Sequence, residues 1–148
     1  MDELRELYQE VILDHGKNPR NFRHPDDCNR QAEGDNPLCG DRLTIYLKVG
    51  HNGLVEDAAF EGRGCAISMA SASMMTEMVT GKTDEEARRL FESFHRLMTG
   101  EDAGEGEDLD KLVVLSGVRQ FPMRVKCATL AWHTMTAAIK GDDTVSTE

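Results

Sequence analysis

The stretch "LTIYLKVGHNGLVEDAAFEGRGCAISMAS", residues 43–71, decides the fold. Leu43, Ile45, Leu47 and Val49 alternate with Thr44, Tyr46 and Lys48, the period of a strand with one buried face. Asn52-Gly53 is a strong hairpin-turn pair, and "LVEDAAFEGRG" follows it as the returning strand. After Gly64 the pattern turns helical. "CAISMASASMMTEMVTG", residues 65–81, combines small residues with Met69, Met74, Met75 and Met78 and ends at Gly81, which suits a left-handed C-terminal cap. The methionines fit a core-packing face, because Met fills irregular gaps.

Working outward, residues 2–15 place Leu4, Leu7, Tyr8, Val11 and Ile12 on one helical face, with Gly16 and Pro19 marking the end. Residues 17–42 hold three of the four prolines and predict an irregular connector, with a short strand near "RQAEGD". Thr83 and Glu86 form a capping box for a helix whose stripe is Ala87, Leu90, Phe91, Phe94, Leu97 and Met98. Residues 99–110, "TGEDAGEGEDLD", are too polar to pack and predict an acidic, solvated loop. A short helical piece around "LDKLVVLSGV" precedes Pro122, which opens a last helix closed by Gly141. Residues 142–148 predict a flexible tail. The whole chain, 1–148, reads as a single domain.

The charge balance limits the partners. With 27 acidic against 17 basic residues the formal charge is -10, which disfavours nucleic acid and anionic membrane surfaces and favours a basic partner. No run approaches the roughly 20 apolar residues of a membrane span, and "MDELRELYQE" lacks the basic-then-apolar order of a secretory signal. The expectation is a soluble cytoplasmic protein. In that compartment Cys28, Cys39, Cys65 and Cys127 stay reduced and serve metal binding or chemistry, although sequence alone leaves a disulfide open.

Three of these thiols fall at element ends. Cys39 sits in the turn before the first hairpin strand, Cys65 directly before a helix, and Cys127 near the start of the last helix. A helix N-terminus favours a thiolate, and Arg42, Arg63, Arg124 and Lys126 flank these positions. Asp41 adds a carboxylate two residues after Cys39, and Gly40 between them permits a sharp bend. Gly64 before Cys65 lets backbone approach closely. Three thiolates and one carboxylate are four ligands, the number of a tetrahedral zinc site. The spacings, 24 residues from Asp41 to Cys65 and 62 from Cys65 to Cys127, match no compact zinc finger, so the residues alone give a candidate Cys3Asp site. Cys28, beside Asp26 and Asp27, reads as incidental, and the five histidines share no motif with a thiol.

"NPLCGDR", "FEGRGCAISMASASMMTEM" and "FPMRVKCATLAW" together resemble the IscU/NifU-type iron-sulfur assembly proteins, most closely the SufU branch, over nearly the whole chain. The resemblance implies an α+β fold in which a three-stranded antiparallel sheet is covered by helices. It also implies that Cys39, Asp41, Cys65 and Cys127 meet as metal ligands at one exposed end. In the IscU branch the residue before the last motif cysteine is histidine; here it is Lys126, and "FPMRVK" replaces the Leu-Pro-Pro-Val-Lys segment read by a dedicated chaperone. What the SufU likeness implies is a Zn2+-dependent sulfur carrier that takes persulfide sulfur from a SufS-type cysteine desulfurase on Cys39. Delivery would go to a downstream Suf scaffold or to apo iron-sulfur proteins. The alternative is a non-enzymatic scaffold that holds iron or a [2Fe-2S] cluster on the same residues.

Overall fold

A computed structural model describes residues 2–37, 39–99, 110–118, 120–142 and 144–146. The elements run α1 (Asp2–Lys17), β1 (Arg30–Asn36), β2 (Asp41–Val49), β3 (Val55–Arg63), α2 (Ala66–Val79), α3 (Asp84–Met98), a 3-10 helix (Asp110–Val118), α4 (Pro122–Lys140) and β4 (Thr144–Ser146). The loop expected at 99–110 lies, for residues 100–109, outside the described residues.

β1, β2 and β3 form the expected antiparallel sheet, with Ile45 opposite Phe60 and Ala32 opposite Ile45. The hairpin loop is wider than a two-residue turn. Gly53 adopts the left-handed conformation at φ 80, but its N–H returns to Gly50 and the strand register shifts between Lys48 and Val49. Leu43, Ile45 and Leu47 are fully buried, as the alternation requires. Tyr46, on the opposite face, is buried as well. His24 from the connector stacks on its ring at 4.1 Å, and Glu61 accepts its hydroxyl at 2.9 Å, so the second face of the sheet is dry at its centre.

A fourth strand completes the sheet in the order β3-β2-β1-β4, with β4 parallel to β1 and Gly34 opposite Val145. Part of the tail read from sequence as flexible is therefore tied to the sheet. Asn21 and Arg23 hydrogen-bond to the backbone of Phe60 on the other edge, so the connector runs alongside β3.

The helices lie where their end signals put them. Thr83 Oγ1 accepts the N–H of Glu86 at 3.1 Å and Glu86 Oε1 accepts that of Thr83 at 2.9 Å, which completes the capping box. Pro122 starts α4, and Gly141 ends it at φ 88. Gly34 explains how closely α4 can lie on β1, since a Cβ there would run into the Thr134 hydroxyl and into Leu130. α2 is buried on most of its circumference and meets α1, the sheet and α4, so its small residues are a packing requirement. Its hydroxyls are paired: Ser71 donates to the Ala128 carbonyl and accepts from Trp132 Nε1 at 3.2 Å, and Ser73 bonds His15 Nδ1 at 2.7 Å. Met74 and Met75 are fully buried with Phe60, Phe94, Leu115 and Trp132 in one core. No helix among the described residues is long and apolar enough to cross a membrane.

Candidate metal centre

Three chain segments converge beyond the end of the sheet. The turn between β1 and β2 is made by the Asn36 carbonyl, which accepts the N–H groups of Cys39 at 3.2 Å and Gly40 at 2.9 Å. Gly40 stands at φ 75 with open space around it, so this bend has left-handed backbone that a glycine adopts without strain. It leaves Cys39 exposed while Asp41, the first residue of β2, is 1% exposed.

The Asp41 carboxylate faces the start of α2. Its Oδ1 accepts the Cys65 N–H at 2.9 Å and its Oδ2 accepts the Ser68 hydroxyl at 2.9 Å. A carboxylate there meets unpaired helix N–H groups and the positive end of the helix dipole. Gly64 makes the approach possible: a Cβ at that position would stand 2.7 Å from Asp41 Oδ1 and 3.1 Å from Ser68 Cβ. Cys65 is the N-cap residue of α2, as its place before the helix predicts, and its Sγ lies 4.0 Å from Asp41 Oδ2. The third segment is the start of α4. Cys127 is fully buried there, its Sγ is 3.4 Å from that of Cys39, and its carbonyl oxygen lies 3.2 Å from the Ser68 hydroxyl.

Ligand atoms of Cys39, Asp41 and Cys127 thus lie within 4.8 Å of one another, the one such group of three among the described residues. Cys65 is outside that trio and joins it through Asp41. Burial pushes the Cys127 thiol well above its ordinary range, and Asp41, Cys39 and Cys65 push it the same way. Left to itself, the Cys127 sulfur, buried beside a carboxylate, resists ionisation. A divalent cation relieves this repulsion, and soft thiolates with one carboxylate suit zinc or iron, so the donor set fits a metal.

The remaining expected residues are placed less centrally. Arg42 is occupied by Glu33 at 3.7 Å, Arg124 is exposed on the first turn of α4, and Lys126 beside Cys127 is half-buried. Cys28 lies in the connector, outside the cluster. His15 is bonded within the helical layer, His24 stacks on Tyr46, and His95 and His133 face each other between α3 and α4. Two residues of the centre escaped sequence reading. Ser68, three positions past the N-cap, holds Asp41. Asn36 is fully buried, with Nδ2 3.9 Å from Cys127 Sγ. A faint signal existed in each case, a hydroxyl in a helix's first turn and an Asn before a proline turn.

The comparisons agree with this geometry. The model of the NifU-like N terminal domain matches residues 7–141. The zinc-dependent sulfurtransferase SufU of Bacillus subtilis is 43% identical over 140 residues, which is 95% of this chain and 94% of that protein. The iron-sulfur cluster assembly scaffold protein IscU of Thermotoga maritima is 44% identical over 135 residues, 90% of this chain and 93% of that one. The solved N-terminal part of a nitrogen-fixing NifU-like protein from Brucella abortus superposes with a TM-score of 0.78 at 26% identity, covering 92% of this chain and 94% of its own. With Cys39, Cys65, Cys127 and Asp41 gathered at the sheet end and this match running almost from end to end, the chain belongs to the NifU-like N-terminal domain family.

Proposed function

We propose that this protein takes part in iron-sulfur cluster assembly as a zinc-dependent sulfur acceptor, receiving persulfide sulfur on Cys39 from a SufS-type cysteine desulfurase. One observation carries the reading: a single exposed thiol stands on a glycine bend 3.4 Å from a fully buried one. Cys127 and Asp41 are suited to hold, and Cys39 is suited to move. The SufU-like relative, a zinc-dependent sulfurtransferase by name, supports this role and the metal.

In this reading Cys39, Asp41, Cys65 and Cys127 hold Zn2+, whose charge keeps the sulfurs deprotonated and therefore nucleophilic when it is bound. Asp41 is fixed by the Cys65 N–H and the Ser68 hydroxyl, so the carboxylate stays in place while the turn moves. The Cys39 thiolate attacks the outer sulfur of the enzyme persulfide. A new S–S bond forms on Cys39, the original S–S bond breaks, and the desulfurase cysteine leaves as a thiolate. Arg124, exposed three residues before Cys127, would attract an anionic partner group. The recipients are a downstream Suf scaffold or apo iron-sulfur proteins, reached in the cytoplasm.

The IscU-like relative favours a second reading, a scaffold that assembles a [2Fe-2S] cluster on the same residues, with Asp41 keeping it labile. Anaerobic purification with metal analysis, followed by a desulfurase assay before and after chelation, separates the two. Sulfur transfer predicts a colourless protein with one zinc, desulfurase stimulation that chelation removes, and loss of stimulation in Cys39→Ser. Cluster absorbance that passes intact to an apo-acceptor, without stimulation, overturns it in favour of the scaffold.

A further inference from the structure

Buried Asn36 has no role in the ligand set, yet it touches two of the three sulfur-bearing segments, those of Cys39 and Cys127. The backbone carbonyl oxygen of Asn36 accepts the Cys39 and Gly40 N–H groups, and its side-chain Nδ2 points at Cys127 Sγ from 3.9 Å. Its side-chain Oδ1 is buried and has no hydrogen-bond partner. Burying a primary amide with its oxygen unpaired is unfavourable, and an apolar side chain would carry no such desolvation cost. The fold therefore keeps a costly polar group where an apolar one would pack, and the sulfur is the group that its nitrogen faces.

We infer that Asn36 is a positioning residue of the metal centre: its amide N–H donates to the Cys127 sulfur and sets it against Cys39, whose turn hangs from the carbonyl of the same residue. Cys127 and Cys39 are 88 positions apart in sequence, and Asn36 is the residue that binds the backbone of one and the sulfur of the other. Hydrogen bonds to a metal-bound thiolate orient it and tune its donation to the metal, and their loss weakens binding by about 10–100-fold. The inference rests on the metal-site reading given above.

Cobalt(II) is the probe, because sulfur-to-cobalt charge-transfer absorption reports the electron density on the ligating sulfurs directly. Asn36→Leu keeps the number and branching of the side-chain heavy atoms, at a larger volume, and removes the donor; Asn36→Ala removes the donor and most of the side chain. A donor role predicts that both variants bind Co2+ about 10–100-fold more weakly and that both move the charge-transfer band to lower energy by the same amount. A packing role alone predicts an unmoved band and a larger loss in the alanine variant than in the leucine variant. That result, or unchanged affinity in both, overturns the inference while leaving the metal site intact. A wild-type protein that takes up no Co2+ overturns the metal-site reading and this inference together.

Discussion

Gly64→Ala tests the metal centre at its tightest point. The added Cβ would stand 2.7 Å from Asp41 Oδ1 and 3.1 Å from its Cγ, with Ser68 Cβ also at 3.1 Å, so the carboxylate has to give way. It is 1% exposed, and its two hydrogen bonds, from the Cys65 N–H and the Ser68 hydroxyl, are both 2.9 Å. Hydrogen bonds to a charged group contribute about 1.5–3 kcal/mol each, so losing one and stretching the other costs about 2–4 kcal/mol. For a domain of this size each kcal/mol lowers Tm by about 2–4 °C, which predicts a fall of about 5–15 °C. Zinc affinity, measured by competition with a chromophoric chelator, should drop at least about tenfold, because the proposed ligand Asp41 would be displaced. Gly40→Ala is the matched control. It meets nothing within 4 Å and is strained only by its φ of 75, a cost of about 1–2 kcal/mol, so stability falls while zinc uptake is retained. A Gly64→Ala protein that melts within about 2 °C of wild type and binds zinc equally well refutes the placement of Asp41 against the start of α2.

Three further outcomes are expected. Zinc at a hundredfold excess over its Kd should stabilise the protein by about 2.7 kcal/mol, read as a rise in Tm that chelation reverses; Cys127→Ala should abolish the rise and Cys28→Ser should not. Burial, with His95 adding to it, holds the His133 ring below its ordinary value of 6.5, so the unfolded chain binds the extra proton first; stability is full above about pH 6.5 and declines as pH falls through the folded value, and His133→Gln should flatten that decline in thermal melts. Arg23 holds the Asp57 carboxyl below its usual 3.8 through a hydrogen bond of 2.6 Å, so Asp57→Asn should cost about 0.5–1 kcal/mol at neutral pH, with the gap closing as pH drops below about 4.

Some elements could be read directly because their determinants are local. The β2–β3 hairpin announces itself by alternation and Asn52-Gly53, α3 by its capping box, and α4 by Pro122 and Gly141. β1 is different: "RQAEGD" is short and polar, and it is a strand because β2 pairs with it. β4 has three residues and gains its strand pairing from β1, more than 100 positions earlier, which no local pattern can encode. Tyr46 alternated onto the exposed face and was covered by His24 from a connector without periodicity. The metal centre divides in the same way. Cys39, Gly40 and Asp41 form a local device legible as a turn, whereas Cys65 and Cys127 arrive through the packing of α2 and α4, at spacings that carry no signal of their own. Asn36 and Ser68 contact Cys127 and Asp41 from behind, and polar residues with only tertiary partners leave almost no trace in a sequence.

The two segments that border the sheet limit how another protein can engage it. The connector pairs with the outer strand β3 at Phe60, and β4, which covers β1 at Glu33, Gly34 and Asp35, is itself only three residues long, so neither edge offers a long uninterrupted row of free backbone groups. A visiting peptide therefore has no long template on which to add itself as an extra strand. Recognition would then run through side chains and loop ends, among them the turn on which Cys39 is exposed.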